Sequence, residues 1–191
     1  MYFWKRGRVG PSKGLSVRRS PISLLGDPFW MAWWTPVGEN HGRGIGFARY
    51  KNEKAYVAEV CVDEEDLIWV GRVTIAGDAG QIVNPDGLAN QLEGGVVQAT
   101  SWSLKEAVEF GPEGVTSVDW ETYPVLSFTE APEVETVLID RPGLPSLGCG
   151  EATQGPTPAA IANAVFAAIG VRVREIPFTP ERVARARSTK E

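Results

Sequence analysis

Residues 42–76 read GRGIGFARYKNEKAYVAEVCVDEEDLIWVGRVTIA, and their pattern decides the fold. Three runs rich in β-branched and aromatic residues, 44–50, 55–62 and 67–76, are separated by Lys51-Asn52-Glu53-Lys54 and by Asp63-Glu64-Glu65-Asp66. Apolar runs of this length bounded by charged turns predict an antiparallel meander. In the second run Tyr56, Ala58, Val60 and Val62 share one face, and Val57, Glu59 and Cys61 the other. Strand side chains alternate, so one face of the sheet is expected in the core and the other only partly covered.

Downstream, Asn84-Pro85 has the form of an N-cap followed by proline at the first helical position. Leu88, Leu92 and Val96 then recur every fourth residue, predicting a helix over 85–101. Gly94 and Gly95 interrupt it, each at a cost of roughly 1 kcal/mol against alanine. Such a pair points either to close helix-on-sheet packing or to a bulky ligand. Two strands, 104–110 and 115–120, are predicted across Gly111-Pro112-Glu113-Gly114, and another over 134–140. A loop over 141–154 leads to a second helix that starts at Thr157 as N-cap and ends at Gly170, with Ile161, Val165, Phe166 and Ile169 on one face. A short strand over 171–176 and a basic tail over 184–191 close the chain. Strands and helices intermix without βαβ units, so the expected class is α+β, a mixed, largely antiparallel sheet packed with two main helices.

The first 41 residues read differently. They hold four of the seven tryptophans and six Lys/Arg within the first 19 positions, with no sustained period. Residues 1–50 carry eight Lys/Arg against two Asp/Glu (+6), and residues 51–191 carry eleven against twenty-two (−11). The head is expected to be a poorly structured or non-native leader ahead of a domain over 42–183. Arg18-Arg19 before Ile22, Leu24 and Leu25 has the outline of a twin-arginine export signal, but no A-x-A-like cleavage site follows. The expected location is cytoplasmic, with periplasmic export alongside a partner as the alternative. Gly26, Asp27, Pro28 and Pro36 break the apolar stretch 22–37, which is too short for a membrane span.

Composition narrows the function. A chain of 191 residues buries a core without disulfides. Two cysteines and one histidine cannot assemble a protein-ligated zinc or iron–sulfur site, so no metal-ligating residue is assigned. The acidic body argues against a duplex nucleic-acid reader.

Four constellations could carry chemistry. In Leu147-Gly148-Cys149-Gly150-Glu151 a carboxylate stands on a glycine-rich turn just before a capped helix. Held there and desolvated, Glu151 could act as a general base, yet a glutamate near the positive end of a helix is also an ordinary stabilising arrangement. Gln91, in Gln91-Leu92-Glu93-Gly94-Gly95, can donate and accept toward a polar ligand, or simply face solvent. Cys149 as a nucleophile would depend on His41 in the doubtful head. Gly42-Arg43-Gly44-Ile45-Gly46 has the outline of a phosphate loop but precedes a strand and lacks the Lys-Ser/Thr ending.

The order of motifs is more specific than any one of them. Gly42-Arg43-Gly44-Ile45-Gly46-Phe47 is followed by Asp78-Ala79-Gly80, Val83-Asn84-Pro85, Gln91-Leu92-Glu93-Gly94, Tyr123-Pro124-Val125-Leu126, Glu130-Ala131-Pro132, Gly148-Cys149-Gly150-Glu151-Ala152 and Ala160-Ile161-Ala162-Asn163-Ala164-Val165. Over residues 42–183 this series resembles the C-terminal part of the molybdopterin-binding large subunit of the xanthine dehydrogenase/aldehyde oxidase family. The Gly-Glu-Ala-Thr-Gln-Gly-Pro-Thr run at 150–157 is most similar to isoquinoline 1-oxidoreductase and nicotinate dehydrogenase type subunits.

The resemblance implies part of a molybdenum hydroxylase, which hydroxylates an N-heteroaromatic or aldehyde substrate with oxygen from water. It implies that Glu151 is the general base toward the Mo–OH group and that Gln91 lies beside the molybdenum–molybdopterin cofactor, whose dithiolene holds the metal. The family's large subunit is several times longer. The cofactor is therefore expected to be shared with missing segments or a partner chain. Iron–sulfur clusters are expected only on a partner, and the isolated chain is expected to be inactive. The alternative is a non-catalytic orphan α+β domain, or an assembly subunit without bound cofactor.

Overall fold

The computed structural model describes residues 38–50 and 52–189. The head therefore lies outside the described residues except for positions 38–41, and the side chain of Tyr56 lies outside them too. Strands β1 (His41–Tyr50), β2 (Asn52–Val62) and β3 (Ile68–Asp78) form the expected antiparallel meander. The first turn is tighter than its charges suggest: Asn52 already pairs with Tyr50, and Glu53 sits opposite both Arg49 and Asp78. Ladder bonds to two neighbours outweigh the weak strand preference of Asn, Glu and Lys. The second turn is held by Asp63, whose carboxylate accepts from the amides of Glu65 at 3.1 Å and Leu67 at 2.8 Å.

A bulge at Gly71 sets which face of β3 is buried. Glu59 pairs with Arg72 but Val60 with Val70, leaving Gly71 as the extra residue. Ile68 and Val70 point into the core before it, and Val73 and Ile75 after it. Without the insertion the even-numbered and odd-numbered pairs could not share a face. Strand β6 (Glu133–Ile139) then joins β3 in parallel, from Arg72 opposite Glu133 to Asp78 opposite Ile139, giving the order β1-β2-β3-β6. The outer face carries Ile45, Phe47 and Trp69 in partial exposure, with Arg43 paired to Glu59 and Arg72 to Glu135.

The inner face is covered by α1 (Pro85–Leu104) and α2 (Pro156–Ile169), whose Leu92, Val96, Ile161 and Val165 close the core with Val60, Val73 and Ile75. Helix α2 lies directly on β1. A Cβ added at Gly42, Gly44 or Gly46 would meet the carbonyl oxygen of Ala164, Ala160 or Pro156. Two strand residues advance about 6.7 Å and four helical residues about 6.0 Å, so alternate positions of one element meet successive turns of the other. Asn163 Nδ2 adds a hydrogen bond to the carbonyl of Ile45 at 2.9 Å. The Gly-Arg-Gly-Ile-Gly run is thus a packing stripe, and its phosphate-loop outline is without a structural counterpart.

The expected α+β arrangement with two main helices is not what forms. Among the described residues the structure is mostly mixed sheet, about 30% helical and without a closed barrel, with three short helices rather than two dominant ones. The third, α3 (Pro180–Ser188), occupies most of the stretch read as a basic tail. Pro180 starts it, Val183 is buried, and Arg182 and Arg185 both reach Glu175. The parallel β3–β6 pair, linked by the whole of α1, also makes the sheet more mixed than the meander suggested.

Other boundaries shift for local reasons. Helix α1 runs past Ser101 to Leu104, whose side chain packs against the core, and closes with the amide of Lys105 donating to the carbonyl of Ser101. That leaves only β4 (Phe110–Gly111) and β5 (Gly114–Val115) of the expected hairpin. Helix α2 begins at Pro156, with Thr157 buried inside its first turn instead of capping it. Residues 171–174 keep a strand's alternation, Val171 and Val173 buried beside exposed Arg172 and Arg174, but no strand among the described residues pairs with them. No helix among the described residues is long and apolar enough to cross a membrane.

Candidate functional site

Because β3 and β6 are parallel, Asp78 and Ile139 end side by side, and the segments that follow them are stitched together. Asp78 accepts from the amide of Gly80 at 3.0 Å and pairs with Arg141 at 2.8 Å. Asp140 accepts from the amide of Ile82 at 2.9 Å, and the amide of Leu147 donates to the carbonyl of Ala79 at 2.9 Å. Asn84 caps α1 by accepting from Gly87 at 3.0 Å. These bonds shape a cavity of about 340 Å³ whose polar lining includes Gln81, Asn84, Gln91 and Ser146, with Cys149 and Gly150 at its side.

Gln91 and Glu151 are brought to the same turn. Gln91 Nε2 donates to the carbonyl oxygen of Gly150 at 2.9 Å, one residue before Glu151. Glu151 is exposed and lines a second cavity, of about 380 Å³, with Ala48, Gly148, Gly150, Ala152, Gly155 and Pro156. The two cavities share Gly150. Added Cβ atoms at Gly148, Gly150 and Gly155 would meet nothing within 4 Å, so the glycine turn is an open cradle.

The turn is also gripped from α1 by residues that motif reasoning did not pick out. Gln154 Oε1 accepts from Trp102 Nε1 at 2.9 Å, and Gln154 Nε2 donates to Gln98 Oε1 at 2.9 Å. A Cβ at Gly95 would strike the hydroxyl of buried Thr153, whereas one at Gly94 would meet nothing. Of the two explanations for the glycine pair, Gly95 follows close packing. Helical spacing places 91, 95, 98 and 102 on one face, but nothing local shows that a turn some fifty residues downstream lands on it.

The segment 123–130 is fastened to the end of α1. Leu126 donates its amide to Ser101 Oγ at 2.8 Å, and Tyr123 donates to Glu106 at 2.9 Å, which raises the phenol pKa. Lys105 and then Ser127 hold the carboxyl of Glu130 down at about 2. His41 is exposed, bonds the carbonyl of Glu39 and lines neither of these cavities, so Cys149 has no histidine beside it there. Among the described residues no group of three His, Cys, Asp or Glu could hold a metal ion.

The neutral amides and hydroxyl around the first cavity suit an organic ligand held by hydrogen bonds, and suit a bare cation poorly. A cofactor that carries its own metal ligands fits that donor set.

A family model described as molybdopterin cofactor-binding domain matches residues 18–132. A nicotinate dehydrogenase polypeptide of Pseudomonas putida is 44% identical over 155 residues, which is 76% of this chain and 13% of that protein. The beta subunit of isoquinoline 1-oxidoreductase from Brevundimonas diminuta is 28% identical over 182 residues, 92% of this chain and 22% of that protein. Among solved structures, quinoline 2-oxidoreductase from Pseudomonas putida 86 superposes with a TM-score of 0.66 at 25% identity, over 71% of this chain and 18% of that one. Aldehyde oxidoreductase from Desulfovibrio gigas gives 0.63 at 27% identity, over 71% and 15%. The chain thus spans less than a quarter of each of these proteins.

Proposed function

We propose, for a chain that belongs to the molybdopterin cofactor-binding domain family of the xanthine dehydrogenase/aldehyde oxidase superfamily, that it serves as the C-terminal catalytic portion of a molybdenum hydroxylase. The Gly-Glu-Ala-Thr-Gln-Gly-Pro-Thr run at 150–157 supports placing it with nicotinate dehydrogenase and isoquinoline 1-oxidoreductase type subunits, and the proposed substrate is an N-heteroaromatic compound or an aldehyde. Residues 42–183 are assigned here to the cofactor-facing unit.

The observation that carries this reading is the hydrogen bond from Gln91 to the Gly150 carbonyl, which joins the cofactor-facing cavity to the turn bearing Glu151. Gln91, Gln81 and Ser146 would hold the polar edge of the pterin. When bound, the cofactor supplies the redox chemistry. Glu151 takes up a proton at its carboxylate during attack on the substrate and returns it to solvent afterwards. The turn keeps that carboxylate at the mouth of a cavity walled only by Ala, Gly and Pro, which leaves room for a planar ring. Electrons leave through iron–sulfur clusters on a partner chain. The remainder of the large subunit covers the large apolar side chains left in water here, Phe110, Val118, Trp120 and Phe128.

The test is Glu151→Gln in the assembled, molybdenum-loaded complex. A fall of about 10²–10⁴-fold in hydroxylation with molybdenum content unchanged is expected for loss of a general base. Hydroxylation at the wild-type rate would remove Glu151 from the reaction. The isolated chain is expected to be inactive and to retain no stoichiometric molybdenum, as metal analysis of the purified chain would reveal.

A further inference from the structure

We infer that Gln154, held between Trp102 and Gln98, is the positioning residue that fixes the Glu151 turn on α1. The inference rests on the role proposed for Glu151 only in its purpose; the clamp itself is a matter of geometry. Segment 150–155 is a continuous run of turns outside any helix or strand of the sheet until α2 begins. The amide of Ala152 reaches the carbonyl of Cys149 at 3.4 Å, and that of Gln154 reaches the carbonyl of Glu151 at 3.3 Å, both at the long end of useful hydrogen bonds. No side chain packs at Gly148, Gly150 or Gly155, where an added Cβ would meet nothing within 4 Å, so packing at those positions does not fix the turn.

Helix α1 supplies what the turn lacks. Its residues 91, 95, 98 and 102 form one stripe, and each meets the turn: Gln91 at the Gly150 carbonyl, Gly95 at Thr153, Gln98 and Trp102 at Gln154. Glu151 lies between the first and last of these attachments. The Gln91–Gly150 and Gln154–Gln98 bonds are exposed, whereas the Trp102–Gln154 bond is part-buried, so the indole is the stronger of the anchors. Gln154 alone uses both ends of its amide, accepting from one α1 residue and donating to another. That two-point grip fixes its rotamer and the backbone from which Glu151 projects.

The anchor is read by amide hydrogen exchange on the 191-residue chain, comparing residues 149–155 with the core strands. Trp102→Phe is expected to speed exchange at the amides of Ala152 and Gln154, the two that donate within the turn, by about tenfold, the effect of losing one partly buried hydrogen bond, and Gln154→Ala, which loses the bonds to both Trp102 and Gln98, to speed it at positions 152 and 154 by at least as much, while β2 and β3 exchange as in the wild type. Gln98→Glu retains the acceptor that Gln154 needs and is expected to keep wild-type exchange, whereas Gln98→Ala is expected to lose part of the protection. Unchanged exchange in Gln154→Ala, or equal acceleration throughout the sheet, would overturn the clamp. An assembled enzyme that tolerates Glu151→Gln would refute the catalytic role and leave this result standing. Failure of the exchange test would refute the clamp and leave that role standing.

Discussion

Gly44 of β1 lies so close beneath Ala160 of α2 that a side chain on the strand would occupy the place of the helix carbonyl. Neither partner is the tip of a flexible side chain, so nothing nearby can swing aside. The approach explains why a helix of alanines can cover an edge strand without large apolar side chains between them.

Gly44→Ala is accordingly expected to destabilise the chain by about 1–3 kcal/mol, the range for overpacking a well-filled core, and by more if α2 must lift as a body. The urea midpoint should fall at constant slope. Gly71→Ala is the control, since an added Cβ at the bulge meets nothing within 4 Å.

Adjacent glycines on α1 should respond with opposite sign. Gly94→Ala places a methyl group in open space within a helix and is expected to raise stability by about 1 kcal/mol. Gly95→Ala drives a methyl group onto the hydroxyl of buried Thr153 and is expected to lower stability. Thermal melts of the two variants side by side suffice. Two shifts of the same sign would contradict the packing described.

Acid should weaken the hold of α1 on the segment 123–130. Lys105 and Ser127 hold the Glu130 carboxyl at about 2, below its ordinary 4.5. A depressed carboxyl stabilises the fold fully above its unfolded value, and this stability disappears as pH falls through the folded one. Wild-type stability should therefore decline between about pH 4.5 and 2, and Lys105→Met should flatten that part of the profile. The pH dependence of the urea midpoint is the measurement.

Gln91→Leu should separate folding from cofactor retention. The lost hydrogen bond is exposed, so stability should change by about 1 kcal/mol or less. In the assembled enzyme the same change is expected to lower the pterin content, measured by fluorescence of its oxidation products. Full pterin content would remove Gln91 from the cofactor's contacts.

The meander was legible because alternation and charged turns act over a few residues, as Ala58, Val60 and Val62 demonstrate by facing the core together. Helix α3 was not, because its stability comes from Glu175 and from a single buried Val183 rather than from an apolar stripe. The hairpin over 104–120 shrank to four paired residues, with Leu104 drawn into α1 by packing on a core that lies far off in sequence. At the site, Gln91 and Glu151 could be singled out by their glycine-rich settings and by the order of motifs. Gln98, Trp102 and Gln154 could not, since ordinary helical glutamines and tryptophans acquire meaning only when a distant turn is laid across them.

The parallel alignment of β3 with β6 has a consequence for how such a protein can change. Both strands release their chains at one rim, so the 79–84 and 140–150 segments that enclose the first cavity are free of the hydrogen-bonded register beneath them. Insertions or exchanges in those two segments can alter which molecules enter while the glycine seam between β1 and α2 continues to guide folding. On the function proposed, ligand preference and foldability are thereby inherited on different stretches of the polypeptide, and one can drift while the other is kept.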